Sequence, residues 1–242
     1  MIAVINESTV LSDAEVQSYL PAYQIQVNRD FGPVWGMAAQ LQFVPKADIA
    51  SVVDDWQLVF LDGTSQAGVL GYHDLTSAGK PMSKIFAATD LQYGSSVSVT
   101  GSHELLEMLG DPSISLGVSQ TDAQGNIQAI FPYEACDACE ADSYGYEING
   151  ILVSDFVYPA WFGGISEKRF DFKEHCSAAG VILSGGYIGK WTPAGGWTQI
   201  VGAAAQKSPA AAIVPGSRRE RRIRGHANWV RSESPTVIAS RR

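Results

Sequence analysis

Several features are scarce in this 242-residue chain, and each shortage closes off a class of protein. Three cysteines, Cys136, Cys139 and Cys176, are too few and odd in number for a disulfide-stapled scaffold. No apolar run approaches the roughly 18–20 residues that span a bilayer, so no membrane insertion is expected. The opening residues Met1-Ile2-Ala3-Val4-Ile5-Asn6-Glu7 lack the basic start and long apolar stretch of a secretory signal, which predicts a cytoplasmic protein. Basic side chains are scarce over most of the chain. Of the 17 Lys and Arg, nine fall in residues 207–242, where only Glu220 and Glu233 oppose them. The remainder is therefore strongly acidic and is not expected to bind nucleic acid. What is abundant is apolar: 45% of residues, with six Trp, nine Tyr and nine Phe, enough for a substantial core.

Periodicity gives an α+β order of elements. Ile2–Ile5 reads as a short strand. Ser12-Asp13-Ala14-Glu15 is a capping-box start for a helix carrying Val16, Leu20, Tyr23 and Val27, interrupted near Pro21. Gln40–Val44 alternates as a strand, and the continuous run Trp56–Leu61 predicts a buried central strand. Gly68–His73 and Lys84–Ala88 follow as two more. Ser95–Leu109 is the best helix, stopped by Gly110-Asp111-Pro112. The later part is β-rich: Asn126–Tyr133, a hairpin turned by Asn149-Gly150, and a Gly-rich hairpin over 185–200. The predicted organisation is one α+β domain over 1–206, with 1–112 and 113–206 as its two parts, and a basic tail over 207–242.

The helix before Gly110 carries the chemistry. On a wheel of about 100° per residue, Thr100, His103, Glu104 and Glu107 share one arc, and Val99, Leu105, Leu106 and Leu109 the opposite one. An ordinary amphipathic helix would expose that polar arc to water. His103 and Glu107 are four apart, so they stack on adjacent turns and can grip one metal ion. Glu104, one position round, reaches a water beside that ion without being a ligand.

His103-Glu104-x-x-Glu107-x-x-Gly110 resembles the zincin metallopeptidase motif, with Glu107 in place of the second His and Gly110 matching the metzincin extension. The resemblance covers roughly residues 1–112 and implies a zincin-like mixed sheet with its active-site helix. It implies a divalent ion, Zn²⁺ or a harder one, held by His103 and Glu107. It also implies Glu104 as general base and a peptide or protein substrate. In the metzincin pattern the third ligand falls on Ser113, a poor donor. Asp111 and Glu134 are the alternatives, followed by Asp137. No Met follows Met108, so the metzincin Met-turn is absent. Tyr146, Tyr158 or His73 are candidate oxyanion partners.

Other groups have blander readings. Cys136, Cys139, His175 and Cys176 offer four soft ligands, or simply three buried thiols. Glu134, Asp137, Glu140 and Asp142 form a Ca²⁺-like cluster or a solvated acidic loop. The aromatic run Asp155–Phe162 reads as core or cleft wall. The second half is similar to uncharacterised phage and bacterial proteins that carry the same helix. That similarity implies an alternative function: a non-catalytic virion or assembly protein, virion-associated, docking onto protein partners or copies of itself through the 207–242 tail.

Overall fold

The computed structural model describes residues 1–64, 70–163 and 168–202; the 207–242 tail lies outside the described residues. The chain is α+β. In order it runs β1 (Ile2–Asn6), α1 (Asp13–Ile25), α2 (Gly32–Trp35), β2 (Leu41–Val44), β3 (Trp56–Leu61), β4 (Gly71–Leu75), β5 (Pro81–Phe86), α3 (Ala87–Tyr93) and α4 (Val97–Gly110). There follow β6 (Gly117–Thr121), β7 (Ile127–Pro132), β8 (Tyr146–Ile148), β9 (Ile151–Val153), β10 (Tyr187–Thr192) and β11 (Gly196–Val201). Among the described residues no helix is long and apolar enough to cross a membrane.

The first five strands form a mixed sheet in the order β2-β1-β3-β5-β4, parallel except for β4, which runs antiparallel at the edge. β3 sits at its centre, which explains the apolar run Leu58–Leu61: both faces are covered there, and Gln57, near the strand's start, donates to the Val52 carbonyl at 3.1 Å. Alternation in β1 sorts the two layers. Ile2 and Val4 join the large core under α1 and α4, whereas Ala3 and Ile5 pack with Val44, Val52, Val59 and Met82 on the reverse face. A second sheet, β11-β10-β7-β6, is antiparallel, and β8–β9 is a separate hairpin. Asn149 and Gly150 both take positive φ, 52° and 78°, as its tight turn requires.

Two local expectations change. α1 begins with the full Ser12/Glu15 capping box but runs through Pro21 without interruption. Pro21 and Gln17 are both exposed, so water can answer the carbonyl that loses its helical donor. At the end of α4, Gly110 stays helical, and the chain leaves the helix at Asp111 (φ −137°, ψ 72°). Pro112 disfavours α geometry at the residue before it, so proline rather than a left-handed glycine stops the helix.

α4 is the centre of the molecule. Every residue from Val97 to Leu109 is buried, including the polar arc. The small polar side chains inside this helix all have partners. Ser98 Oγ donates to the Leu152 carbonyl at 2.7 Å, and Ser102 Oγ accepts from the Ser154 N–H at 2.7 Å. Thr100 Oγ1 donates to Asp90 Oδ1 at 2.7 Å. At the helix start, Asp142 accepts from the Ser96 N–H at 2.8 Å. The helix is thus fastened to the β-rich half by polar contacts as well as by its apolar face. Gly101 is required where α4 crosses α1, because a Cβ there would collide with the Tyr23 hydroxyl and lie 3.1 Å from the Phe60 ring.

Asp90 gives this packing a pH signature. Burial pushes its carboxyl up from 3.8 to about 7; the Thr100 bond opposes the rise, Asp142 adds to it, and His103 opposes it. An unfolded Asp ionises near ~4, so between about pH 4 and 7 the folded protein must hold a proton that the unfolded chain has released. The neutral carboxyl therefore favours the fold at low pH, and that contribution is lost as pH rises through 7. Asp90→Asn should flatten the stability profile between pH 4 and 7 and raise the urea midpoint at pH 8. An unchanged profile would contradict this reading.

Candidate metal centre

The buried polar arc of α4 meets two other parts of the chain. From the edge strand comes His73, paired directly with Ser83 across β4–β5. Both side chains point at α4: Ser83 Oγ donates to the Glu104 carbonyl at 2.8 Å, and His73 Nδ1 lies 3.7 Å from Glu107 Oε2 and 3.8 Å from Glu104 Oε2. From the segment after β7 come Glu134 and Asp137. The Cys136 N–H between them donates to Glu107 Oε1 at 3.1 Å and fixes this segment against the helix. His103 Nε2 then lies 3.5 Å from Glu107 Oε2 and 3.3 Å from Asp137 Oδ1.

The result is two interlocked sets of atoms that could ligate a metal ion. One contains His73, Glu107 and Glu134; the other contains His103, Glu107 and Asp137; within each set the atoms lie within 4.8 Å of one another. All five residues are buried. The imidazole–carboxylate spacings, 3.3 to 3.8 Å, exceed the roughly 2.7–2.9 Å of a good charge-assisted hydrogen bond. They match the separation of neighbouring ligands around one ion: bonds of about 2.0–2.1 Å at tetrahedral angles put ligand atoms about 3.4 Å apart. The mixed nitrogen and carboxylate donors suit a borderline divalent ion such as Zn²⁺ or Mn²⁺.

Electrostatics point the same way. Glu104, Glu107, Glu134 and Asp137 are four carboxylates against at most two imidazolium charges in this set, and burying unbalanced charge is costly. Burial alone would lower the His103 pKa, but Glu107 and Asp137 hold it well above the ordinary imidazole value. For Glu140 beside them, burial raises the carboxyl well above its usual range. His103 opposes that rise, and the like charges of Asp137, Glu107 and Glu104 reinforce it.

The expected site residues divide as follows. His103, Glu104, Glu107 and Glu134 come together. Asp111 does not join either set: its carboxylate accepts from the Ser115 and Leu116 N–H groups at 2.9 and 3.0 Å and closes the turn after α4. Asp137, ranked below Asp111 on sequence, takes the place beside His103. His73, considered only as an oxyanion partner, falls in a ligand set. Tyr146 donates to Asp30 at 2.9 Å, and Tyr158 stacks on Phe156. A different tyrosine feels the charge of the cluster. Burial, then the charges of Asp137, Glu140, Glu107 and Glu134, push the Tyr187 phenol well above its usual range. Gly186 permits this approach, because a Cβ there would lie 2.5 Å from the Ala138 carbonyl oxygen. The acidic-loop reading of residues 134–142 is overturned in part: Glu134 and Asp137 are buried at α4 and Asp142 caps the helix start. The three cysteines are free and buried, burial raises the pKa of each thiol (Cys176 to about 12), and none joins a ligand set among the described residues.

Compared with protein-family models, with curated proteins and with solved structures, the chain finds no match in any of the three.

Glu104 is seated by a cradle. Its side chain lies over Gly71, where a Cβ would stand 2.8 Å from Glu104 Cγ and 3.0 Å from Oε1. Gly71→Ala should therefore push the Glu104 carboxylate aside. If that carboxylate does chemistry, turnover should fall about 10²-fold, the scale of an ångström-sized misplacement, with bound metal unchanged. Full turnover by the variant would show that Glu104's position is immaterial.

Proposed function

We propose that this chain is a metal-dependent hydrolase of the zincin-like kind, acting on peptide bonds, with Glu104 as its general base. The observation that carries the reading is the convergence of His103, Glu107 and Asp137 at coordination spacing, with the Glu104 carboxylate on the adjoining His73 side, 3.8 Å from His73 Nδ1. His103, Glu107 and Asp137 would hold the ion, and Zn²⁺ fits these donors. A bound divalent ion supplies Lewis acidity, polarising a carbonyl and acidifying water towards pH ~7.

The protein's own groups would do the rest. Glu104 lies on the same helical arc as the ligands and takes the proton of the attacking water, then delivers it to the leaving amine. The Tyr187 hydroxyl, kept protonated by burial and then by the nearby carboxylate charges, would be the candidate donor to the developing oxyanion. The antiparallel edge strand β4, which carries Gly71 and His73, forms one side of the site and is the natural strand for an extended substrate to pair with. Incubating metal-loaded protein with an unbiased peptide mixture should release new amino termini, and chelator-treated protein should release none. No cleavage by loaded protein would overturn the reading.

A second reading follows from enclosure. The side chains of His103, Glu104 and Glu107 are only 10%, 8% and 3% exposed, and structural metal sites are closed whereas catalytic ones keep a position open. Under that reading the ion fastens the β-rich half to α4 in a non-catalytic assembly protein. Metal that binds tightly without any hydrolysis would favour it.

A further inference from the structure

We propose that the centre holds two divalent ions bridged by Glu107, an inference that rests on the reading that His103 and Glu107 bind metal. Glu107 belongs to both ligand sets, and it is the one residue they share. Its two oxygens have different surroundings. Oε1 accepts the Cys136 N–H at 3.1 Å, which fixes the carboxylate plane. Oε2 stands between the imidazoles, 3.5 Å from His103 Nε2 on one side and 3.7 Å from His73 Nδ1 on the other. Each spacing matches the edge of a coordination polyhedron, about 3.4 Å. Yet among the described residues the two imidazoles fall in different sets. An ion seated between His103, Glu107 and Asp137 therefore leaves the other set's donors, His73 and Glu134, to a second position.

Charge supports the same count. Glu104, Glu107, Glu134 and Asp137 are buried carboxylates, and metal binding requires both imidazoles to be neutral. With Glu140 beside these four, one divalent ion leaves a large excess of buried negative charge, and a second ion removes most of it. Each position receives one imidazole, one terminal carboxylate and the shared Glu107, a donor set suited to Zn²⁺ or Mn²⁺. Glu104, which belongs to neither set, stands 3.8 Å from His73 Nδ1, on the side of the second position. Paired ions about 3.5–4 Å apart are a recurrent arrangement for hydrolysis.

The test is metal stoichiometry with magnetic coupling. Chelator-stripped full-length protein is reloaded with Mn²⁺ or Zn²⁺, ions per chain are counted by native mass spectrometry, and the Mn²⁺ form is examined by electron paramagnetic resonance. The wild-type protein should take up two ions per chain and give a spin-coupled manganese spectrum, readouts that need no variant to fold. His73→Ala and Asp137→Asn should each halve the count and abolish the coupling, with circular dichroism reporting the fold. One ion per chain in the wild type, or two without coupling, overturns the bridged pair and leaves the single-ion reading standing. No bound ion overturns both.

Discussion

Glu104→Gln is expected to reduce peptide hydrolysis by about 10²–10⁴-fold, the usual contribution of a positioned general base, without changing metal content. The amide is nearly isosteric with the carboxylate, so it fits over Gly71 and does not disturb the α4–β4 contact. What it loses is proton affinity. Glu104 belongs to neither ligand set, so the residues that would hold the ion remain in place. The variant thus separates two roles that are adjacent on one helix: a loss of metal would make Glu104 a ligand, and unaltered turnover would remove it as the base. Against Gly71→Ala it forms an internal check. One variant removes the base and the other moves it, and both should spare metal binding.

The second large effect is on stability. An ion that binds the folded chain alone stabilises it by about 2.7–4.1 kcal/mol when present at 100–1,000 times its dissociation constant. For a domain of this size each kcal/mol corresponds to about 2–4 °C in melting temperature. Zn²⁺ should therefore raise the midpoint of stripped protein by roughly 5–15 °C. The proposed ion would sit at the junction of α4, β4 and the segment after β7, so the gain should appear as one cooperative transition. Glu107→Gln should lose most of it, because Glu107 belongs to both sets. It should lose more than either His73→Ala or Asp137→Asn, each of which touches one set. Equal shifts in wild type and Glu107→Gln would place the stabilising ion elsewhere, and the cluster of Asp155, Asp171 and His175 would be the next place to look.

Much of the fold was legible because single periodicities decide it. Trp56–Leu61 had no polar face to expose and became the central strand; Asn149-Gly150 could only be a tight turn; Ser12 and Glu15 declared the start of α1. β6 was not legible because Gly117–Thr121 is an exposed edge with no apolar alternation. On α4 the wheel placed His103, Glu104 and Glu107 on one arc correctly, but a wheel cannot say whether an arc meets water or another layer. Here it meets a layer, and the small residues Ser98, Gly101 and Ser102 were the sign that both faces are packed. His73 and Asp137 were harder still. Their arrival depends on the register of β4 against β5 and on one backbone donor, Cys136, reaching Glu107 across a sequence gap. Asp111 shows the converse: close in sequence to the motif, it is occupied in closing its own turn.

The most direct measurement is the metal content of the purified full-length protein beside that of Glu107→Gln, by elemental analysis after exhaustive dialysis. A divalent transition ion retained by the wild-type protein and lost from the variant is the predicted result. A wild-type protein that holds none and takes up none when offered Zn²⁺ or Mn²⁺ would contradict the metal centre and the functional reading built on it.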